Sequence, residues 1–326
     1  MSNKGIAGKV LVCVESFSMS SKEPLELLLS NQFEVHFNNT GRSLEWEDYP
    51  RFFTGIDFSI AGLEKYDESF FKQFPNIKVI SRVGVGIDNI DLASARRNNT
   101  YVYNTINLTT NAVAELTLGL MISLARGIIG LSNNMSNGKW TPVQGMELGA
   151  CTVGIVGFGS IGKLVAKILS ELGVRVIAVG KSWDHEFAER YNIKRVSLDY
   201  LMSESDFVTL HLPLKRETMH MINSGNLDLM KKTAFIINTS RGGIIDDIAL
   251  SEKLKSGRIA GAALDVFENE PDVGPYKGLQ NVILTPHIGS NTVRSRYKME
   301  MSAVKNILEY VNAVRNNLTI PKGVNI

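Results

Sequence analysis

Apolar runs of strand length recur through the N-terminal part of the chain, separated by polar and glycine-containing breaks. Residues 9–14 read as a strand, and Pro24 opens a short helix carrying Leu25, Leu27, Leu28 and Leu29. Residues 34–37, 58–61, 77–81 and 101–103 read as further strands. A helix is predicted over 68–74, ended by Pro75, and Asp91 caps another that runs through Arg97. Strands alternating with helices predict a parallel, doubly wound sheet.

A polar break at 107–111 follows, with Thr110 or Asn111 as the cap of a long apolar helix near 112–131. That helix carries Glu115 and Arg126 and reads as a core helix rather than a membrane span. Residues 132–149 read as a polar loop with Trp140 and Pro142, after which the alternation resumes. Strands are predicted over 152–156, 174–179, 206–210, 233–238, 259–266 and 282–284. Helices are predicted over 163–172, stopped by Gly173, and over 247–256, stopped by Gly257. A last helix, 292–313, repeats Met299, Ala303, Ile307, Val311 and Val314 at helical spacing and could return to pack on the first domain.

Between the strand at 152–156 and the helix after it lies Gly157-Phe158-Gly159-Ser160-Ile161-Gly162. In this strand, turn, helix, strand context the glycine spacing is a dinucleotide fingerprint. The first glycine permits the tight turn, the second lets backbone approach a pyrophosphate, and the third lets the helix pack on the strand. The free N–H groups at the helix start face the phosphates. A second glycine loop, Arg82-Val83-Gly84-Val85-Gly86-Ile87-Asp88, follows the strand at 77–81. Its backbone N–H groups could turn outward toward an anion such as a carboxylate, or it could be a plain strand-to-helix turn.

The length, 326 residues, suits two domains. With 44% hydrophobic and 21% charged residues the chain reads as a soluble globular protein, and a net charge of +2 gives no argument for nucleic acid or an anionic membrane. Cys13 and Cys151 sit in apolar runs and suit a reducing compartment. The start Met1-Ser2-Asn3-Lys4-Gly5 carries no signal-peptide core, so the cytoplasm is the expected location. No metal-ligand spacing is present, and no GxSxG elbow.

In an open α/β sheet, ligands lie outside the carboxyl ends of the strands. Arg241, Glu270 and His287 all fall at or just past such ends. Arg241 offers a planar fork for a carboxylate. His287 is the acid/base candidate, and Glu270 the carboxylate that would orient it. Of the other histidines, His36 reads as structural, His185 and His220 as solvated, and His211 as a binding-pocket residue at the cofactor edge.

The glycine fingerprint, the Val83-Gly84-Val85-Gly86 loop, Val113-Ala114-Glu115-Leu116, Asn238-Thr239-Ser240-Arg241-Gly242, Asp265-Val266-Phe267-Glu268-Asn269-Glu270-Pro271 and Thr285-Pro286-His287-Ile288-Gly289 resemble the D-isomer-specific 2-hydroxyacid dehydrogenases across the whole chain. The phosphoglycerate dehydrogenases and the glyoxylate or hydroxypyruvate reductases are the nearest in general look. The resemblance implies an α/β fold of two doubly wound parallel-sheet domains. A Rossmann nucleotide-binding domain, 106–291, would be inserted into a flavodoxin-like substrate domain, 1–105 with 292–326. It implies an NAD(P)-dependent oxidoreductase acting on a small 2-oxo or D-2-hydroxy acid. Arg241 would bind the substrate carboxylate and polarise its carbonyl, His287 would move the proton, and Glu270 would pair with His287. Backbone at Val83 and Gly84 would hold the carboxylate, and Asp265 would face the nicotinamide carboxamide. The expected cofactor contacts also include the whole Gly157 to Gly162 turn, Gly180, Lys181, Ser182, His211, Leu212, Pro213, Thr218, Thr239, Ser240 and Gly289. A homodimer with the long apolar helix at its interface is implied too.

One position departs from an NAD-binding pattern. An acidic residue at the end of the second Rossmann strand accepts from the ribose hydroxyls. Gly180 stands there, followed by Lys181, Ser182, Trp183 and Asp184. Lys181 and Ser182 could bind a 2′-phosphate, so NADP(H) is expected; the alternative is that Asp184 or backbone serves NAD. Two rival functions remain open: a non-catalytic, cofactor-sensing corepressor-like protein, and a dehydrogenase of phosphite or formate.

Overall fold

The computed structural model describes residues 7–325; the Met1 to Gly5 stretch lies outside them. The chain divides into two compact units. One holds the residues through Thr109 together with those from Thr292 onward, and the other is Thr110–Asn291.

The first unit carries strands β1 (Gly8–Val12), β2 (Phe33–Phe37), β3 (Phe58–Ala61), β4 (Val79–Arg82) and β5 (Tyr101–Tyr103). Helices α1 (Glu23–Ser30), α2 (Tyr49–Phe53), α3 (Glu68–Gln73) and α4 (Leu92–Arg97) connect them. All pairings are parallel, in the order β2-β1-β3-β4-β5, the flavodoxin-like winding. Alternation along β1 divides the core: Leu11 and Cys13 face one apolar cluster, Val10 and Val12 the other. Asp91 caps α4 through the N–H groups of Ala93 and Ser94.

The second unit opens with α5 (Thr110–Arg126) and α6 (Ile128–Ser136). It continues with β6 (Thr152–Val156), α7 (Ser160–Glu171), β7 (Arg175–Val179), α8 (His185–Arg190), β8 (Lys194–Arg195), α9 (Leu198–Glu204) and β9 (Phe207–Leu210). Then come α10 (Ser224–Leu229), β10 (Phe235–Asn238), α11 (Asp247–Lys255), β11 (Gly261–Leu264) and β12 (Val282–Leu284). The sheet runs β12-β11-β10-β9-β6-β7-β8, all parallel. This is the Rossmann order extended by one strand, and its reversal point lies between β6 and β9. Val153 and Ile155 face one core cluster, and Val156 the other.

The helix α12 (Val293–Arg315) belongs to the first unit. Met299, Ala303, Ile307 and Val311 are buried with Val10, Val12, Ile60 and Val79. Val314, expected on the same face, sits in the last turn and is half exposed, with Ala313 buried beside it.

The long helix expected near 112–131 is two helices. Gly127 has φ +63, a left-handed conformation that ends the regular turn, and the axes diverge by 64°. The helical structure therefore extends to Ser136, into what the sequence suggested was loop. Among the described residues no single helix is long and apolar enough to cross a membrane, and α5 buries Ala114, Leu120, Met121 and Ala125 in the core of its unit.

Candidate active site

The glycine turn is shaped by close approaches. Gly157 has φ +108, and a Cβ there would lie 2.2 Å from the carbonyl oxygen of His211. A Cβ on Gly162 would lie 2.0 Å from the carbonyl oxygen of Gly157, so only glycine lets α7 start this near β6. Gly159, the N-cap of α7, has nothing within 4 Å of where its Cβ would stand. Helix start, open space and close-packed backbone fit a dinucleotide pyrophosphate.

His211 closes one side of this cradle at the end of β9. It is buried, its Nε2 lies 3.1 Å from Thr209 Oγ1, and its buried Nδ1 has no hydrogen-bond partner among the described residues. Burial pushes its pKa down to about 3, so the ring is neutral and offers a bonding position rather than a proton.

Several of the expected cofactor residues also hold local structure. Thr218 Oγ1 donates to Pro213 O at 2.7 Å and accepts from Lys215 N at 2.8 Å, which fixes the turn after Leu212 and Pro213. Thr239 Oγ1 meets Thr117 Oγ1 of α5 at 2.8 Å in a buried contact, and Ser240 Oγ donates to Asn238 Oδ1 at 2.7 Å. Phe158 is buried against Trp183, and Ile161 is half-buried on α7. Lys181 and Ser182 are exposed beside Gly180. Asp184 is committed elsewhere: it caps α8 through Phe187 N at 3.1 Å and accepts from Lys163 Nζ at 2.8 Å.

Three strand ends of the second unit bring the reactive side chains together. His287 Nδ1 lies 2.7 Å from Glu270 Oε2. Glu270 Oε1 accepts from Phe267 N at 3.1 Å, so one residue orients the ring and latches its own loop. Burial raises the pKa of Glu270, but the hydrogen bond and charge of His287, the Phe267 N–H and the charge of Arg241 together outweigh it, and the net shift is downward. The carboxylate therefore stays ionised beside the ring. His287 itself has φ +51, a conformation that a non-glycine residue holds only when its surroundings impose it. Its Nε2 has no partner among the described residues. Arg241 donates from Nη1 to Ser240 O at 2.6 Å, and its own carbonyl accepts from Asn238 Nδ2 at 2.8 Å.

Asp265 does more than the sequence suggests. Its carboxylate is 1% exposed. One oxygen accepts from Ile288 N at 2.8 Å and Thr285 Oγ1 at 2.6 Å, and the other from Gly289 N at 2.8 Å. Its side chain thus organises the turn that carries His287. The Gly289 N–H is consumed in the same contact.

In the first unit, the expectation for Val83 and Gly84 is corrected. Val83 N donates to Ala61 O at 3.0 Å, continuing the sheet, and Gly84 N donates to Thr105 Oγ1 at 2.8 Å. Neither N–H is left for a carboxylate. The next two N–H groups, of Val85 and Gly86, have no hydrogen-bond partner among the described residues. Of the remaining histidines, His36 contacts Glu34 at 2.8 Å and His220 contacts Glu268 at 3.2 Å, both at the surface; His185 is exposed in the first turn of α8. Among the described residues no group of three or more metal-ligating side chains is gathered.

A doubly wound sheet with this cradle and an acid/base pair beside it defines the class of nicotinamide-dependent oxidoreductases. Residues 118–289 match the NAD-binding domain of the D-isomer specific 2-hydroxyacid dehydrogenases. A glyoxylate reductase of Thermofilum pendens is 41% identical over 255 residues, covering 75% of this chain and 75% of the relative. A hydroxypyruvate reductase of Thermotoga maritima is 36% identical over 297 residues, covering 88% and 94%. The crystal structure of the TT0316 protein from Thermus thermophilus has a TM-score of 0.85 at 32% identity, over 97% of this chain and 99% of that one. The chain belongs to the D-isomer specific 2-hydroxyacid dehydrogenase family. It is an enzyme that acts on small 2-hydroxy or 2-oxo acids with a nicotinamide dinucleotide.

Proposed function

We propose that the protein reduces a 2-oxo acid of the glyoxylate, hydroxypyruvate or phosphohydroxypyruvate type to the 2-hydroxy acid, the D isomer where that product is chiral, reversibly, with the NADP form of the cofactor preferred. The observation that carries the reading is the 2.7 Å pair of His287 and Glu270, with His287 Nε2 left for a substrate oxygen. Bound, the reduced nicotinamide supplies the hydride. His287 donates the proton to the oxygen, and the ionised Glu270 holds the ring. The Arg241 guanidinium binds the carboxylate and stabilises the negative charge that develops on the oxygen. Gly157, Gly159 and Gly162 with the start of α7 hold the pyrophosphate, and the backbone of His211 packs against the same turn. The lack of an acidic side chain at Gly180, with Asp184 tied to Lys163, supports the NADP preference.

The protein is further read as a cytoplasmic homodimer. Ile122, Ile128, Ile129 and Met135 are exposed apolar side chains on α5 and α6, and both cysteines are free and buried. Light scattering should give a dimer, and Ile128→Glu with Ile129→Glu should give monomers.

The test of the reaction is loss of reduced-cofactor absorbance, with NADPH and NADH in parallel against glyoxylate, hydroxypyruvate, pyruvate and phosphohydroxypyruvate. Turnover with at least one acid, faster with NADPH, is expected. Measurable cofactor binding without turnover of any acid would count against the reading.

A further inference from the structure

We propose that Arg195, on the short edge strand β8, is a specificity residue for the 2′-phosphate of the cofactor, working beside Lys181 and Ser182. This rests on the dinucleotide reading above and deepens it. Arg195 is remote along the chain from Gly180 and its neighbours. The sheet brings it back: Arg195 pairs in register with Ala178 of β7. Its Nη2 donates to Gly180 O at 3.1 Å, at the position where an NAD site presents a carboxylate.

Packing closes the carboxylate route. A Cβ on Gly180 would stand 2.6 Å from Phe158 Cβ and 3.1 Å from Ser182 O. Phe158 cannot retreat, since its ring is stacked on Trp183 at 4.3 Å with an interplanar angle of 18°. The guanidinium of Arg195 lies 5.4 Å from the centroid of the Trp183 ring. Phe158 of the glycine turn, Trp183 and Arg195 thus form one continuous wall.

Charge in this corner is positive and available. Lys163, the other nearby cation, is neutralised by Asp184 at 2.8 Å. Among the described residues neither Lys181 nor Arg195 has an ion-pair partner. The carbonyl contact holds one edge of the guanidinium and leaves further N–H groups of a planar fork that suits a phosphate monoester.

Calorimetric titration with 2′,5′-ADP and 5′-AMP isolates the phosphate from the rest of the cofactor, with Trp183 emission as a second readout. Wild-type protein should bind 2′,5′-ADP more tightly, and Arg195→Gln should shrink that preference on the order of ten-fold. Arg195→Lys, which keeps the charge, should retain part of it and controls for folding. No preference in the wild type would overturn both the NADP reading and this inference. A wild-type preference that survives in Arg195→Gln would overturn this inference alone. Equal losses for both nucleotides in Arg195→Gln would also overturn it, leaving Arg195 as a support for Trp183.

Discussion

Asp265 holds His287 in place without touching its ring. The backbone carbonyl of Asp265 accepts from His287 N at 2.9 Å, while the carboxylate accepts from Ile288 N and Gly289 N, each at 2.8 Å. These contacts impose the positive φ of His287 and aim its ring at Glu270. Asp265→Asn turns one of the two oxygens into a donor, set against the backbone N–H of Ile288 or of Gly289. A fall in kcat on the order of a hundred-fold is expected from the misplaced ring, together with a thermal midpoint lowered by several degrees. Steady-state kinetics and a melting curve measure both, and a variant with normal kcat would remove Asp265 from this role.

Glu270 holds the acid in place. Its carboxyl is kept below the usual carboxylate range, so at neutral pH it stays ionised against the His287 ring. Glu270→Gln keeps the size of the side chain and removes that charge. In steady-state kinetics kcat for reduction should fall on the order of ten-fold or more, with cofactor affinity unchanged in calorimetry. A variant with normal kcat would mean the carboxylate does not act on the ring.

The buried His211 should make the protein sensitive to acid. Its folded value of about 3 lies below the ordinary 6.5. Below the ordinary value the unfolded chain binds a proton that the folded chain refuses. Stability is therefore full above that value and declines as pH falls toward 3, with a slope of about one proton from this group. Urea midpoints of the cofactor-free protein between neutral and mildly acidic pH should show the decline, and His211→Asn should flatten it. Parallel slopes would contradict the assignment.

Gly162→Ala should disturb both stability and cofactor binding. The added carbon would stand 2.0 Å from Gly157 O, so α7 must move away from β6. A cost of about 1–3 kcal/mol is expected for such overpacking, seen as a lower melting temperature with weakened nucleotide binding in calorimetry.

The strands were the most legible part of the fold. The boundaries at Phe58–Ala61, Tyr101–Tyr103, Thr152–Val156 and Val282–Leu284 coincide with the apolar runs, because buried parallel strands are apolar on both faces. Helices α2, α8, α9 and α10 escaped notice because each is a short segment that buries only one or two side chains. The break at Gly127 was hidden by apolar residues on both sides of it. In the site, the His287 and Glu270 pair was legible because two motif-bearing strand ends must meet at one sheet edge. The partners of Asp265, Thr239 and Gly84 were not, since the 285–289 turn, Thr117 and Thr105 are remote from them along the chain. Arg195 was invisible for a different reason: only the register of a two-residue strand carries it to Gly180.

The most direct test of the account compares wild-type protein with His287→Gln for oxidation of NADPH by glyoxylate and hydroxypyruvate, with cofactor affinity measured on the same samples. The account predicts turnover by the wild type and a loss on the order of 10²–10⁴-fold in the variant at similar cofactor affinity. Equal turnover by both proteins, or none by the wild type despite bound cofactor, would contradict it.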